Sequence, residues 1–233
     1  MKKLKTAFFL IFISCVLQAQ DNYMALSFGA GVPLGDYAST VSLSSDGFAL
    51  NGFMAEYSGA YYLINYLGVG GAIKFNQSAL NKEKIQDALL EVLTDGTLDS
   101  ITQSNLGFWS IVSLGVGPQF SLPAGRFVFD FYFFPGMHIV TPPKLELTAI
   151  IDGNPEYTTV SSQKLRFGFE TGASLQIHIN ETTGLRLSAS YLETSSKGSV
   201  KGREQTNGSE IENAEFTRRI QIVNASIGLV YIL

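Results

Sequence analysis

Leu165-Arg166-Phe167-Gly168-Phe169-Glu170-Thr171-Gly172-Ala173-Ser174-Leu175-Gln176-Ile177-His178-Ile179 alternates between two kinds of side chain for fifteen residues. The odd positions read Leu, Phe, Phe, Thr, Ala, Leu, Ile, Ile. The even positions read Arg, Gly, Glu, Gly, Ser, Gln, His. Successive side chains on a β-strand point to opposite faces, so this stretch is a strand with one apolar and one polar face. The next stretch repeats the pattern, with Leu185, Leu187, Ala189 and Tyr191 opposite Arg186, Ser188 and Ser190. Phe127, Phe129, Phe131 and Phe133 form an apolar face opposite Val128, Asp130 and Tyr132.

Working outward from these stretches, the alternation places eight strands, at about 23–32, 48–60, 67–78, 107–120, 126–137, 164–178, 184–194 and 217–232. The connections near 61–66, 121–125 and 179–183 are short. Those near 33–47, 79–106, 138–163 and 195–216 are long. Eight antiparallel strands with both ends on the short-turn side give this rhythm. Outer-membrane barrels combine an even strand number with short periplasmic turns and long extracellular loops. The fold expected is therefore all-β. It is an eight-stranded antiparallel up-and-down transmembrane β-barrel with long extracellular loops and one short loop helix.

The two faces choose the solvent. A soluble barrel is apolar inside and polar outside. Here the polar faces are rich in Gly and Ser with few charges, which suits a crowded lumen better than a water-exposed surface. The apolar faces suit lipid. Tyr57, Tyr61, Tyr62, Tyr66, Tyr191 and Tyr231 fall near strand ends, where interfacial girdles are placed. A soluble β-sandwich or a lipocalin-like barrel is the alternative reading of the same alternation.

The start of the chain is of another kind. Lys2, Lys3 and Lys5 precede an apolar run from Ala7 to Leu17, and Leu17-Gln18-Ala19 resembles a cleavage site. Residues 1–19 are expected to be a signal peptide, and 20–233 the barrel domain. The run is too short for a membrane span of about 20 residues. Removing the segment takes three lysines and no acid from the 16 Lys and Arg, leaving 13 against 20 Asp and Glu, a net charge of −7. That balance, with no basic tract, excludes a nucleic-acid partner. Cys15 is the sole cysteine, and Phe12-Ile13-Ser14 before it does not match a lipoprotein triplet. The exported chain then has no disulfide, no thiolate nucleophile and no cysteine metal site. At 233 residues with 45% hydrophobic and 15% charged side chains, disorder and coiled coils are excluded.

The Lys-rich start, Asn22-Tyr23-Met24-Ala25-Leu26-Ser27-Phe28-Gly29-Ala30-Gly31, and Gly184-Leu185-Arg186-Leu187-Ser188-Ala189-Ser190-Tyr191 resemble the small outer-membrane β-barrel proteins, OmpA/OmpX-like and PorT-like. The resemblance spans essentially the whole exported chain. It implies a bacterial outer-membrane location, a lipid bilayer around the barrel and the barrel-assembly machinery as partner during insertion. PorT-like barrels serve secretion machinery, so the resemblance also implies a possible role as an accessory barrel. The family ends in an aromatic residue, whereas this chain ends Val230-Tyr231-Ile232-Leu233.

With the polar face inward, the in-strand charges are Glu56, Lys74, Asp130, Arg166, Glu170 and Arg186. Three acids and three bases are expected to pair, because an unpaired charge in a narrow lumen is costly. Eight strands leave an interior that side chains can fill. The expected lumen is thus plugged by ion pairs, and Arg166→Ala is expected to destabilise it or raise its conductance. In the second long loop Asn81 can cap a helix carrying Ile85, Ala88, Leu89 and Val92, with Glu83 in its first turn and Gly96 after its end. In the third, Lys144 to Val160 alternates about an Asp152-Gly153-Asn154-Pro155 break, a hairpin signal. The fourth, Ser195 to Glu215, is polar and expected to be mobile. His138 and His178 fall at opposite ends of the barrel and cannot share a metal or a proton relay. Glu56, Asp130 and Glu170 could mimic a catalytic carboxylate pair, but lumen bases explain them more simply. No cofactor, metal or catalytic residue is expected. The function expected is a structural or surface-interaction role, with loops 79–106 and 138–163 offered to a protein partner. The alternatives are a narrow channel for ions or small solutes, a lipid-modifying enzyme using His138, and the accessory secretion barrel.

Overall fold

The computed structural model describes residues 21–40, 46–85, 87, 98–143, 145–151, 154–160, 164–200 and 214–233. Residues 1–19 with Cys15, expected to be a signal peptide, lie outside these residues. Among these residues there are eleven strands: β1 (Tyr23–Leu34), β2 (Ala49–Ile64), β3 (Leu67–Leu80), β4 (Leu98–Leu106), β5 (Trp109–Ala124), β6 (Phe127–Thr141), β7 (Leu145–Ile151), β8 (Asn154–Val160), β9 (Lys164–His178), β10 (Thr183–Val200) and β11 (Ala214–Ile232). A single helical turn, α1 (Gly35–Ala38), follows β1.

Eight of these strands close into a barrel in the order β1-β11-β10-β9-β6-β5-β3-β2. Each neighbouring pair is antiparallel, and β1 closes on β11 from Tyr23↔Ile232 to Leu34↔Gln221. Closure leaves no sheet edge in the lipid, which any β-structure crossing a bilayer requires. Among the described residues no helix is long and apolar enough to cross a membrane.

The faces fall as the alternation requires. Phe127, Phe129, Phe131 and Phe133 point out, while Val128, Asp130, Tyr132 and Phe134 point in and are buried. Leu26, Phe28, Val116, Ile227 and Leu229 add to an outward apolar belt. This is the reverse of a soluble barrel, and it selects the membrane reading over the lipocalin-like one. Strands of 12 to 19 residues exceed the roughly 9–11 that cross a bilayer, so the excess stands outside it.

The strands run further than the alternation suggested. β2 continues to Ile64 and β5 to Ala124, so the turns shrink to Asn65-Tyr66 and Gly125-Arg126. Gly125 has φ +65°, a left-handed conformation that glycine adopts without a Cβ penalty. Tyr62 corrects the girdle reading. It lies on the inward parity of the extended β2 and is buried, whereas Tyr57, Tyr61, Tyr66 and Tyr231 are exposed.

The long connections carry most of the surprises. β7 and β8 form the hairpin signalled by the third loop, from Leu145↔Val160 to Ile151↔Asn154. The second loop, read as helical, instead ends in β4, which pairs with β7 and makes a separate three-stranded sheet in the order β4-β7-β8. Its helix does begin as expected. The Lys84 N–H donates to Asn81 Oδ1 at 3.1 Å and the Ile85 N–H to the Asn81 carbonyl at 3.1 Å. Ala88, Leu89 and Val92 lie outside the described residues. The fourth loop is also less of a loop than its polarity implied. β10 reaches Val200 and β11 starts at Ala214, paired to each other throughout. A ladder with a partner strand needs no apolar face, so polar Ser195 to Ser199 can extend it.

Candidate functional site: the barrel lumen

The inward side chains stack in layers, best followed from the periplasmic end. That end opens as a cavity of about 330 Å3, lined by residues that include Asp21, Asn65, Tyr66, Gln176 and His178. Above it Tyr23 and Tyr62 cross the lumen with ring centroids 6.5 Å apart. Gln119 Nε2 donates to both phenol oxygens, at 3.0 and 2.8 Å.

Asp130, fully buried on β6, is the hub of this layer. It accepts hydrogen bonds from Ser121 Oγ at 2.5 Å, Gln176 Nε2 at 2.7 Å, Ser174 Oγ at 2.8 Å and the Tyr62 hydroxyl at 3.3 Å. These donors come from β2, β5 and β9 and converge from both sides of β6. No base touches it. Asp130→Ala is therefore expected to strand several buried donors at once. Each costs about 1–3 kcal/mol when left without a partner, so the loss should be several-fold larger than for Ser174→Ala. Urea unfolding in detergent micelles measures both.

Among the described residues Arg186 makes no ion pair. Its Nη1 donates to the Tyr23 hydroxyl at 2.7 Å and to Ser58 Oγ at 3.1 Å. Its guanidinium also stands 5.0 Å from the centroid of the Tyr23 ring. Hydroxyls and a ring face replace the carboxylate that the sequence suggested.

The charged layer proper is built on Lys74. Its Nζ pairs with Glu56 at 2.8 Å, with Glu170, and with Ser190 Oγ at 2.9 Å. Glu56 is its ladder neighbour on β2. Glu170 reaches it from β9, three strands away round the barrel. Tyr132 adds a bond to Glu170 at 3.3 Å and stacks on Phe134 at 4.6 Å. Phe134 fits because Gly70 faces it. A Cβ there would lie 2.8 Å from the Phe134 ring and 2.6 Å from Gln119 Oε1.

So the structure brings Lys74, Glu56 and Glu170 together and leaves three of the six charges apart from them. Asp130 and Arg186 find neutral partners. Arg166, near the outer end of β9, makes no ion pair among the described residues, and its Nε is buried without a hydrogen-bond partner. It is not part of the Lys74 cluster, so Arg166→Ala is not the substitution that tests that cluster.

Above Lys74 lie two groups that sequence reasoning missed. Asn76 and Asn224 are buried with neither amide atom hydrogen-bonded, and both oxygens point at Gly31. Next, the inward faces turn apolar. Trp109, Ile111, Val140, Ile220 and Ile222 join Tyr37, Phe48 and Ile85 in one buried cluster. Trp109 Nε1 donates to the Gly47 carbonyl at 2.9 Å, the Tyr37 ring meets it edge-on at 5.3 Å, and Arg218 lies over it at 5.6 Å. The signal was present, since Trp109 and Ile111 share parity with Ser113. It was hidden by the assumption that the inward face stays polar to its end.

The histidines are as separate as expected. Ser113, however, lies opposite His138 in the β5–β6 ladder and its Oγ is 2.8 Å from His138 Nδ1. Register, not sequence spacing, makes this pair. Both residues are buried in the wall of the lumen.

The model of the family described as "Outer membrane protein beta-barrel domain" matches residues 7–219. No curated protein matches the chain. Among crystal structures, OprG from Pseudomonas aeruginosa superposes with a TM-score of 0.56 at 12% identity, over 93% of this chain and 97% of that one. A major outer membrane protein from Thermus thermophilus gives 0.48 at 11% identity, over 92% and 100%. Ail, the attachment invasion locus protein of Yersinia pestis, gives 0.40 at 15% identity, over 92% and 100%. The OprG likeness bears on the fold alone.

Proposed function

The chain belongs to the outer membrane protein beta-barrel family and stands in the bacterial outer membrane, and on that footing we propose that it is a non-conducting scaffold presenting a surface-interaction module. The observation that carries this reading is the β4-β7-β8 sheet. It is built wholly from long connections and, among the described residues, forms no ladder with a strand of the barrel. β4 and β8 are its edges; β8 lies against β10 of the barrel, while β4 has no ladder partner but β7 among the described residues, and an unpaired edge can accept an extended segment of another protein. In this reading the N-terminal segment directs export, and the assembly machinery inserts the barrel. The layered lumen supports closure, with the Lys74 cluster and the Trp109 cluster in series. Catalysis has no part in it, since Ser113 and His138 form a buried hydrogen bond that no substrate need approach.

The test is to replace Leu145–Val160 by a short Gly-Ser linker and display both forms on cells lacking other adhesins. The truncated barrel should keep its heat-modifiable gel mobility, the mark of a folded barrel. Full-length cells should adhere several-fold better to at least one of a set of protein-coated surfaces. Equal adhesion of the two forms on every surface would overturn the reading. A channel reading has one observation in its favour: Asn76 and Asn224 leave four buried polar atoms that water can satisfy. Planar-bilayer conductance of the signal-free chain decides between them.

A further inference from the structure

The cavity at the periplasmic end of the lumen is biased towards acceptors. Its lining holds one carboxylate, Asp21, and no Lys or Arg. Asp21 stands just ahead of β1, is exposed, and has no ion-pair partner among the described residues. Asn65, in the two-residue turn between β2 and β3, lines the same cavity, and its Oδ1 is buried without a hydrogen-bond partner. Gln176 reaches the cavity from β9. Its Nε2 donates to Asp130 at 2.7 Å, which turns the donor end of the amide away and leaves the carbonyl oxygen for the cavity. Tyr23 and Tyr66 add two aromatic rings to the wall.

The charges around this lining do not reverse its sign. Behind it Asp130 and Arg186 are both buried, one acid against one base, and Arg186 is turned to Tyr23 and Ser58. In the adjoining turns Arg126 and Glu181 are exposed, again one of each sign, and neither lines the cavity. His178 does line it, and histidine is the side chain whose charge changes near neutrality. A carboxylate, amide oxygens in want of a donor and aromatic faces together receive a cationic N–H group. Hydrogen bonds from an ionised donor are the strong ones, and ring faces attract cations. The volume of about 330 Å3 is at the small end of ligand pockets, room for a short chain and no more.

We propose that the periplasmic-end cavity binds a primary alkylammonium group of lysine-side-chain length, held by Asp21 and by the amide oxygens of Asn65 and Gln176, with the Tyr23 and Tyr66 rings as its walls. The ligand comes from the periplasmic side, whereas the β4-β7-β8 sheet stands at the other end of the barrel. The site therefore goes beyond the surface-interaction reading and does not depend on it.

Butylammonium titrated at pH 8 into the isotope-labelled, signal-free barrel in zwitterionic micelles tests this by NMR. The backbone amides of Asn65, Tyr66, Gly125 and His178 should shift saturably, while those of Trp109 and Val140 at the outer end stay still. Butanoate, of the same length and opposite charge, should give no saturable shift. Tetramethylammonium, a cation with no N–H, should bind at least about tenfold more weakly. Asn65→Ala should weaken butylammonium by about tenfold, the scale of a lost charged hydrogen bond. Asp21→Asn should weaken it about fivefold, the scale of one contact between charges in water, and Asp21→Glu should restore it. Heat-modifiable mobility shows that each variant is folded. Putrescine and Nα-acetyl-lysine amide then separate a free polyamine from a protein side chain as the source, by which of them saturates the same amides at lower concentration. Absence of a saturable shift, equal binding of butylammonium and tetramethylammonium, or binding unchanged by both Asn65→Ala and Asp21→Asn overturns the proposal.

Discussion

Lys74→Met is expected to cost the barrel roughly 3–5 kcal/mol, the range for removing one partner of a buried ion pair. The Lys74 side chain is 1% exposed and that of Glu56 is 2%. Taking away the ammonium leaves Glu56 and Glu170 facing each other across the lumen without the charge that pairs with both. Ser190 also loses its donor. The damage is not local, because Glu170 sits three strands from Lys74 round the barrel and the pair braces opposite walls. The control is a neutral layer. Lys74→Met combined with Glu56→Gln and Glu170→Gln removes the stranded charges and should recover most of the loss, since apolar or neutral replacements of whole buried ion clusters are often tolerated. Urea midpoints of the three forms in the same micelles measure the difference. If Lys74→Met alone unfolds at the wild-type midpoint, Lys74 is not a brace.

How much of this was legible without coordinates depended on the length scale. The period of two in Leu165 to Ile179 fixes a strand and its faces locally, and closure follows from eight such strands of alternating connection length. The charges on those faces were equally legible as lumen residues. Their partners were not. Lys74 and Glu170 are 96 residues apart, and which base meets which acid depends on stagger round the barrel. Alternation states parity but not height. Asp130 illustrates this, for its partners are Ser121, Ser174 and Gln176, while Arg186 turns to Tyr23 and Ser58 instead of to its carboxylate. The same blindness to height separated Arg166 from the Lys74 cluster. β4 was missed for a different reason. Asp99-Ser100-Ile101-Thr102-Gln103-Ser104-Asn105 is polar and has no apolar face to read, and it becomes a strand only because β7 offers an edge.

The second large effect is expected at the other end of the lumen. Trp109→Ala removes the largest fully buried side chain of the barrel, and truncations of buried Trp cost about 3–5 kcal/mol. It also frees the Gly47 carbonyl from its indole donor and takes the ring from under Arg218. The cover formed by Tyr37 and Phe48 then loses its tether, so the outer closure should loosen. The variant is nevertheless expected to stay silent in a planar bilayer. Closures in series block a path until all of them open, and the Lys74 cluster and the Asp130 layer remain beneath. Stability and conductance are thus predicted to separate: a clearly lowered urea midpoint with no single-channel steps. Phe48→Ala, which thins the same cluster without touching the indole bond, should fall between wild type and Trp109→Ala in stability and be equally silent. Steps appearing in Trp109→Ala alone would show that the polar layers below already pass ions. The outer cluster would then be the gate of a channel, and the non-conducting scaffold would be the wrong description of this barrel.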